Sequence, residues 1–326
     1  MDRVLITGGA GFIGGALGRE LVRLGHRVTA IDDLSTGQLS NVAEGVELVR
    51  ANVADRSAMR EIFEAGRFGA VLHLAAQTSN ILSHQDPWND FSTNVGGTLN
   101  VIEQVTVHRV PKVLFASSMA LYGNAASLPT AESAALAPLS PYGVSKLAAE
   151  HLLHNAATRR DAPRFRLGSL RMFNVYGPGQ SLTNMYQGVV SVFIANVLAG
   201  EPITLYGSGA QTRDFVYIDD IVAAWLAALA SDDLDGERVN LGSGEECTIS
   251  ALLDAVLAAF GHSRATYEVI QRAELAGDQR AVRADIRLAR QRLGWAPRVP
   301  FEQGLRATVE WAKATWPALR AVSAGG

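Results

Sequence analysis

Short apolar runs recur along the chain, and the distances between them set the expected architecture. Short runs rich in β-branched or apolar residues span 4–7, 28–31, 46–49, 71–74, 113–115 and 165–172, and most are separated by helix-length segments. That alternation predicts a doubly wound parallel sheet, an α/β fold with helices on both faces. Between the first two runs, Ile13, Leu17, Leu21 and Leu24 fall at helical spacing and Gly25 follows them. A helix closed by a glycine is expected there. The rhythm breaks near Val175, where Gly177-Pro178-Gly179 and a polar stretch to Asn184 precede a helix-like run over residues 189–198. A smaller α/β domain is expected to begin at this break. Because residues 214–240 again read as helix and strand, the expected division is discontinuous. The first domain would be 1–174 with a return segment 214–240, and the second 175–213 with 241–326.

Composition narrows the classes of function. A chain of 326 residues buries a sizeable core without a disulfide or a metal. Its one cysteine, Cys247, forms no intramolecular disulfide and fits a reducing compartment, so the cytoplasm is expected. The opening Met1-Asp2-Arg3 runs straight into the first strand-like run, which reads as structure and not as a secretory leader. The longest apolar stretch, residues 221–230, is half a membrane span and is flanked by Asp219-Asp220 and Asp232-Asp233. It reads as a buried helix. A net charge of -3 offers no field for nucleic acid, and the one basic cluster, Arg159-Arg160 with Arg164 and Arg166, is broken by Asp161 and Pro163.

The run Thr7-Gly8-Gly9-Ala10-Gly11-Phe12-Ile13-Gly14 follows a strand and opens a helix. Backbone N–H groups and the positive helix end then converge where a pyrophosphate would sit. Gly8 permits the tight turn, Gly11 lets phosphate approach the backbone, and Gly14 brings helix and strand together. The next strand ends on Asp32, whose carboxylate accepts from a ribose 2′-hydroxyl and repels a 2′-phosphate. NAD is therefore expected over NADP. Asp33 reads as a solvent-facing turn residue.

Tyr142 and Lys146 are four residues apart in a helical run, which puts phenol and ammonium on one face. A tyrosine acting as a base near pH 7 needs about three units of depression, or roughly 4 kcal/mol. A cation about 4 Å away supplies roughly 4 kcal/mol at an effective dielectric near 20. Upstream, Ser117-Ser118 closes a strand at the carboxyl edge where ligands of such sheets bind. Ser118 is thus placed to hydrogen-bond a reacting hydroxyl.

These features, with His73-Leu74-Ala75-Ala76, Ser117-Ser118-Met119-Ala120-Leu121-Tyr122-Gly123 and Arg171-Met172-Phe173-Asn174-Val175-Tyr176-Gly177-Pro178, resemble the extended short-chain dehydrogenase/reductase family. Asp32-Asp33-Leu34-Ser35-Thr36-Gly37 and Arg213-Asp214-Phe215-Val216-Tyr217-Ile218-Asp219-Asp220 are most similar to its nucleotide-sugar 4-epimerases. The resemblance spans nearly the whole chain. It implies a Rossmann domain in which Phe12, Ile13, Leu74, Ala75, Ala76 and Asn94 also meet the cofactor. Tyr142 would be the base, Lys146 would hold the cofactor ribose and lower the tyrosine's pKa, and Ser118 would aid proton transfer. Met119, Asn174, Arg213, Arg280 and Val282 would meet the sugar nucleotide, with Arg213 on its diphosphate.

The implied reaction inverts C4 of a UDP-hexose, whether glucose, galactose, N-acetyl or uronic acid type, through a transient 4-keto sugar. Dehydratases, decarboxylases and oxidoreductases of the same family are the alternatives. In the family's 4,6-dehydratases an Asp-Glu pair follows the catalytic residue and in its decarboxylases a glutamate usually stands at the place of Ala120, so Met119-Ala120 disfavours both and leaves open a dehydratase with differently placed groups. Val282 falls where the family sets the space beside the sugar's 2-substituent. Leu275 stands where a second diphosphate arginine is usual, which leaves Arg280 or Arg272 to compensate. His151 and His154 are three apart on a helix without further ligand pattern, so no metal is expected, and His73 reads as a satisfied strand residue. The helices near residues 94–108 and 142–155 correspond to those that pair family members, which implies a homodimer.

Overall fold

The structure is a computed structural model that describes residues 3–186, 188–274 and 279–324, with side chains as far as Arg320. It opens with β1 (Arg3–Thr7), α1 (Phe12–Arg23), β2 (Arg27–Asp32), β3 (Val46–Arg50), α2 (Arg56–Ala65) and β4 (Ala70–His73). Two short helices, α3 (Asn80–Gln85) and α4 (Pro87–Phe91), lead through a π-helical turn, Ser92–Gly96, into α5 (Gly97–Val107). Then come β5 (Lys112–Ser118), α6 (Pro141–Thr158), β6 (Arg166–Met172), β7 (Asn174–Tyr176), α7 (Val189–Ala199) and β8 (Ile203–Tyr206). The remainder is β9 (Thr212–Arg213), β10 (Phe215–Tyr217), α8 (Ile218–Ala230), β11 (Glu237–Leu241), β12 (Cys247–Thr248), α9 (Ile249–Ala259), β13 (Val269–Arg272), α10 (Arg287–Leu293) and α11 (Phe301–Ala324).

Seven of these strands form one parallel sheet in the order β11-β6-β5-β4-β1-β2-β3. The expected α/β doubly wound fold is therefore the observed one. Strand periodicity builds its two faces. Val4 and Ile6 turn to one side with Leu17 and Leu21 of α1 and Trp225 of α8, while Leu5 turns to the other with Met59, Phe63, Val101 and Leu153. Both faces are covered, which is why the strands read as continuous apolar runs. Leu24 departs from the expected helical stripe. It lies past the last turn of α1 and is 49% exposed, since the chain has already turned at Gly25, φ +85°.

Residues 214–240 supply α8 and β11, and β11 pairs with β6 along Glu237↔Gly168 to Leu241↔Met172. The later segments build pairs outside the main sheet: β10 with β7, β12 with β9 and β13 with β8. Strand order reverses between β1 and β4, and a crevice opens at their carboxyl ends. Among the described residues no helix is long and apolar enough to cross a membrane.

Candidate active site

That crevice is a cavity of about 480 Å³. Its floor is the turn between β1 and α1, where Gly8, Gly11, Phe12, Ile13 and Gly14 all line the wall. Two of the glycines are geometric requirements. Gly8 has φ +74°, and a Cβ there would stand 2.8 Å from the amide nitrogen of Ala75. A Cβ on Gly14 would fall 2.1 Å from the Gly8 carbonyl oxygen. A cradle that tight leaves bare backbone at a helix N-terminus, which suits the pyrophosphate of a dinucleotide.

Asp32 lines the cavity at the end of β2. The Ala10 and Leu34 amides each donate to its carboxylate at 2.9 Å, and burial pushes its pKa up despite them. The residues present therefore fit NAD: a phosphate cradle, then a carboxylate aimed at the ribose. Asp33 is a half-buried turn residue with exposed hydrogen bonds. It lines the same cavity, accepting from the Asn52 amide at 2.9 Å and the Ser35 amide at 2.9 Å. Leu74, Ala75 and Ala76 complete this side at the end of β4. His73 just before them is buried between Thr7 Oγ1 at 2.8 Å and Thr98 Oγ1 at 2.9 Å, and burial takes its pKa down to about 3.

The reactive side chains come from two elements. Ser118 ends β5, where its Oγ accepts from the Ala120 amide at 3.2 Å. Tyr142 and Lys146 stand on the first turns of α6, which Ser140 caps by accepting from the Gly143 amide at 3.2 Å ahead of Pro141. Serine at the cap and proline in the first turn are a sequence-encoded helix start. All three side chains line the cavity, as does Asn174, whose amide donates to the Asp214 carbonyl at 3.2 Å. Lys146 Nζ sits 4.2 Å from the centroid of the Phe115 ring.

The electrostatics differ from the expectation in one respect. Burial raises the Tyr142 pKa, a hydrogen bond from Ser118 pulls it the other way, and Lys146 is not among the groups that shift it. Lys146 is itself brought down to about 7, chiefly by burial, with Asp90 and Glu150 opposing the fall. Burial thus opposes the expected depression of Tyr142, and Ser118 is the group that lowers it.

Five expected residues do not line the cavity. Asn94 is buried behind it: its amide donates to the Gln77 carbonyl at 3.1 Å and to Ser145 Oγ at 2.9 Å, and its Oδ1 accepts from the Gln77 amide at 2.8 Å. Gln77, not Asn94, faces the cofactor space. Met119 packs on the main apolar cluster. Arg213 is buried, its Nη1 donating to the Thr212 and Gln279 carbonyls at 2.7 Å each. Arg280 is exposed, and its backbone joins Thr212 and Asn124. Val282 is 3% exposed within the core. Backbone and side-chain bonds gather Thr212, Arg213, Gln279, Arg280 and Val282 into one wall beside the Gly123-Asn124 turn. Leu275, where a second arginine is usual, lies outside the described residues.

One contribution had no signal in the hydrophobic pattern. Residues 179–181 with Asn184, Tyr186 and residues 188–190 fold over the same cavity. Asn41 ties them down by donating to the Gly179 and Ala10 carbonyls at 3.2 and 3.3 Å, and the Gln38 amide donates to Ser181 Oγ at 3.2 Å. The glycines and asparagines of this stretch were the available sign of a ligand-facing loop.

A parallel sheet with a dinucleotide cradle at its switch point and a Ser, Tyr and Lys set beside it defines an NAD-dependent enzyme of the extended short-chain dehydrogenase/reductase type. Residues 4–242 match the NAD dependent epimerase/dehydratase family. The UDP-glucose 4-epimerase of Mycolicibacterium smegmatis is 35% identical over 315 residues, covering 95% of this chain and 98% of that protein. Among solved structures, the UDP-glucose 4-epimerase of Thermotoga maritima with UDP-glucose superposes with a TM-score of 0.91 at 34% identity, covering 96% of this chain and 99% of that one. The Thermus thermophilus UDP-glucose 4-epimerase complex with NAD gives a TM-score of 0.88 at 36% identity, with 95% and 99% covered. The chain belongs to the NAD-dependent epimerase/dehydratase family, and within it is a sugar-nucleotide epimerase.

Proposed function

We propose that the enzyme inverts C4 of a UDP-hexose. The observation that carries this reading is the convergence of Ser118, Tyr142 and Lys146 on the cavity that holds the glycine cradle. Met119 and Ala120, which follow Ser118, offer no group able to move a second proton. That favours epimerisation over the dehydration that the family name also covers.

Tyr142 removes the proton of the sugar 4-hydroxyl and later returns it. Ser118 donates to the phenolic oxygen and steadies the negative charge there, and the N-terminal end of α6 adds a favourable dipole. Lys146 is the cation beside the cofactor ribose. NAD, when bound, supplies a nicotinamide ring that accepts hydride from C4 and gives it back to the opposite face of the 4-keto sugar, and its positive charge favours the tyrosinate. Asp32 selects the 2′-hydroxyl form of the cofactor, and Asn174 meets the sugar nucleotide. Arg213, Arg280 and Val282 belong to the wall beside the Gly123-Asn124 turn, and in this reading Arg213 meets the diphosphate from there.

A homodimer is part of the same reading. The stretch from α4 to α5, with the outer face of α6, exposes Trp88 (85%), Leu99 (47%), Val107 (66%) and Val144 (43%). Apolar groups in such density on three neighbouring helices suit a second copy of the chain.

The deciding experiment incubates the enzyme, without added NAD, with UDP-glucose, UDP-galactose, their N-acetyl counterparts and UDP-glucuronate, and reads the C4 configuration by NMR. Inversion of at least one with no accumulation of NADH is the expected result; a released keto or dehydrated sugar rejects the reading. Tyr142→Phe is expected to lower turnover by about 10³-fold or more while NAD stays bound.

A further inference from the structure

Asp90 is a buried carboxylate beside the reactive pair to which the chemistry above gives no task. It lies on α4 at 0% exposure. Its Oδ1 accepts from Gln77 Nε2 at 2.8 Å and from Asn94 Nδ2 at 3.3 Å, and among the described residues its Oδ2 has no hydrogen-bond partner. Asn94 reaches on to Ser145 Oγ at 2.9 Å, and Ser145 is the neighbour of Lys146. Gln77 in turn lines the cavity. The helix runs through the π-helical turn Ser92–Gly96 here, so that Thr93 faces the cavity while Asn94 points back toward Asp90. Such turns are frequent at functional sites. An ionised carboxylate with an orphan oxygen is costly to bury, and removing its counter-charge makes it costlier.

We propose that Asp90 is a positioning residue for the reaction: its charge holds Lys146 in the ammonium form, while Gln77, Asn94 and Ser145 fix the carboxylate in place. The proposal rests on the Tyr142 and Lys146 chemistry stated above. The groups facing Lys146 support it one by one. His73 on β4 is neutral at working pH, and Phe115 on β5 offers only its ring. On α6 itself, Tyr142 carries no charge until it acts, and Glu150 is already committed to Arg171, Arg238 and Ser117. Asp90 has no such ion pair among the described residues; burial pushes its pKa up, Ser145, Gln77 and the charge of Lys146 pull it back, and on Lys146 in turn it is the largest influence opposing burial.

The chain contains only three lysines, Lys112, Lys146 and Lys313, which makes the test direct. Lysine labelled with ¹³C at Cε gives three NMR signals, assigned by Lys112→Arg and Lys313→Arg, and the Lys146 signal is followed from pH 5 to 10 in the enzyme as purified. Asp90→Asn is expected to move the Lys146 midpoint down by about one pH unit, a tenfold loss of the ammonium form above it. The alkaline limb of kcat/KM should move by the same amount, with the KM for UDP-sugar unchanged within about twofold. Asp90→Glu is expected to restore both. Asp90→Ser removes the same charge in a smaller side chain and is read alongside, in case the asparagine variant does not fold. A Lys146 midpoint that stays in place in a folded charge-removing variant overturns the proposal, as does a uniform fall in rate at every pH. A midpoint that moves while the rate profile does not shows Asp90 acting on Lys146 as stated, and puts the failure with Lys146 in the reaction.

Discussion

Asp32 shows how much one carboxylate can decide when its rotamer is set by the backbone around it. With the Ala10 and Leu34 amides on its two oxygens, it cannot swing away from an approaching ribose. Asp33 stands beside it on the same wall, so a 2′-phosphate would meet two negative charges. Asp32→Ala is expected to reduce the preference for NAD over NADP by at least about tenfold in cofactor titrations, since one hydrogen bond to a charged group is worth roughly 1.5–3 kcal/mol. Unchanged discrimination would move the selection to Asp33. At this scale the sequence was informative about identity and spacing: Ser118, Tyr142 and Lys146 meet as their positions promised. It was silent on protonation, because the states of Lys146 and Tyr142 depend on burial and on the charge of Asp90, which the fold brings in from elsewhere in the chain.

Elements were legible wherever one local rule decided them. The glycine turn, the Ser140-Pro141 start of α6 and the six early strands all follow from short stretches of sequence. What was not legible depends on partners far away. Arg213 is turned by the Thr212 and Gln279 carbonyls, and Asn94 by Gln77 and Ser145, none of which the spacing of apolar residues encodes. The junction of α6 with β6 is of the same kind. Glu150, fully buried, accepts two bonds from Arg171 at 2.6 and 3.1 Å, one from Arg238 at 3.1 Å and one from Ser117 at 2.6 Å. Burial alone would raise the Glu150 pKa, and Arg171 with its companions overcomes this and holds it below the ordinary value. Arg171→Met strands that charge, and chemical denaturation is expected to show a loss of about 3–5 kcal/mol. Adding Glu150→Gln should cost less than the two single changes summed; a loss below about 1 kcal/mol for Arg171→Met would mean that water or Arg238 replaces the guanidinium.

For the molecule as a whole, the apolar surface from α4 to α6 makes the oligomeric state measurable. Light scattering is expected to give a dimer, and Leu99→Arg with Trp88→Arg to give a folded monomer; a monomeric parent protein rejects the pairing. The sheet carries a different consequence, in the order of its assembly. Strand β6 is complete at Met172, but β11, its partner on the outer side, begins only at Glu237. At roughly 5–20 residues per second, a ribosome leaves that edge bare for about 3–13 seconds. During synthesis, then, the nascent chain carries an unpaired row of amides and carbonyls beside an apolar face, a template for another nascent chain. This sticky interval is the window in which a holdase chaperone would bind, and slow translation of residues 173–236 would widen it.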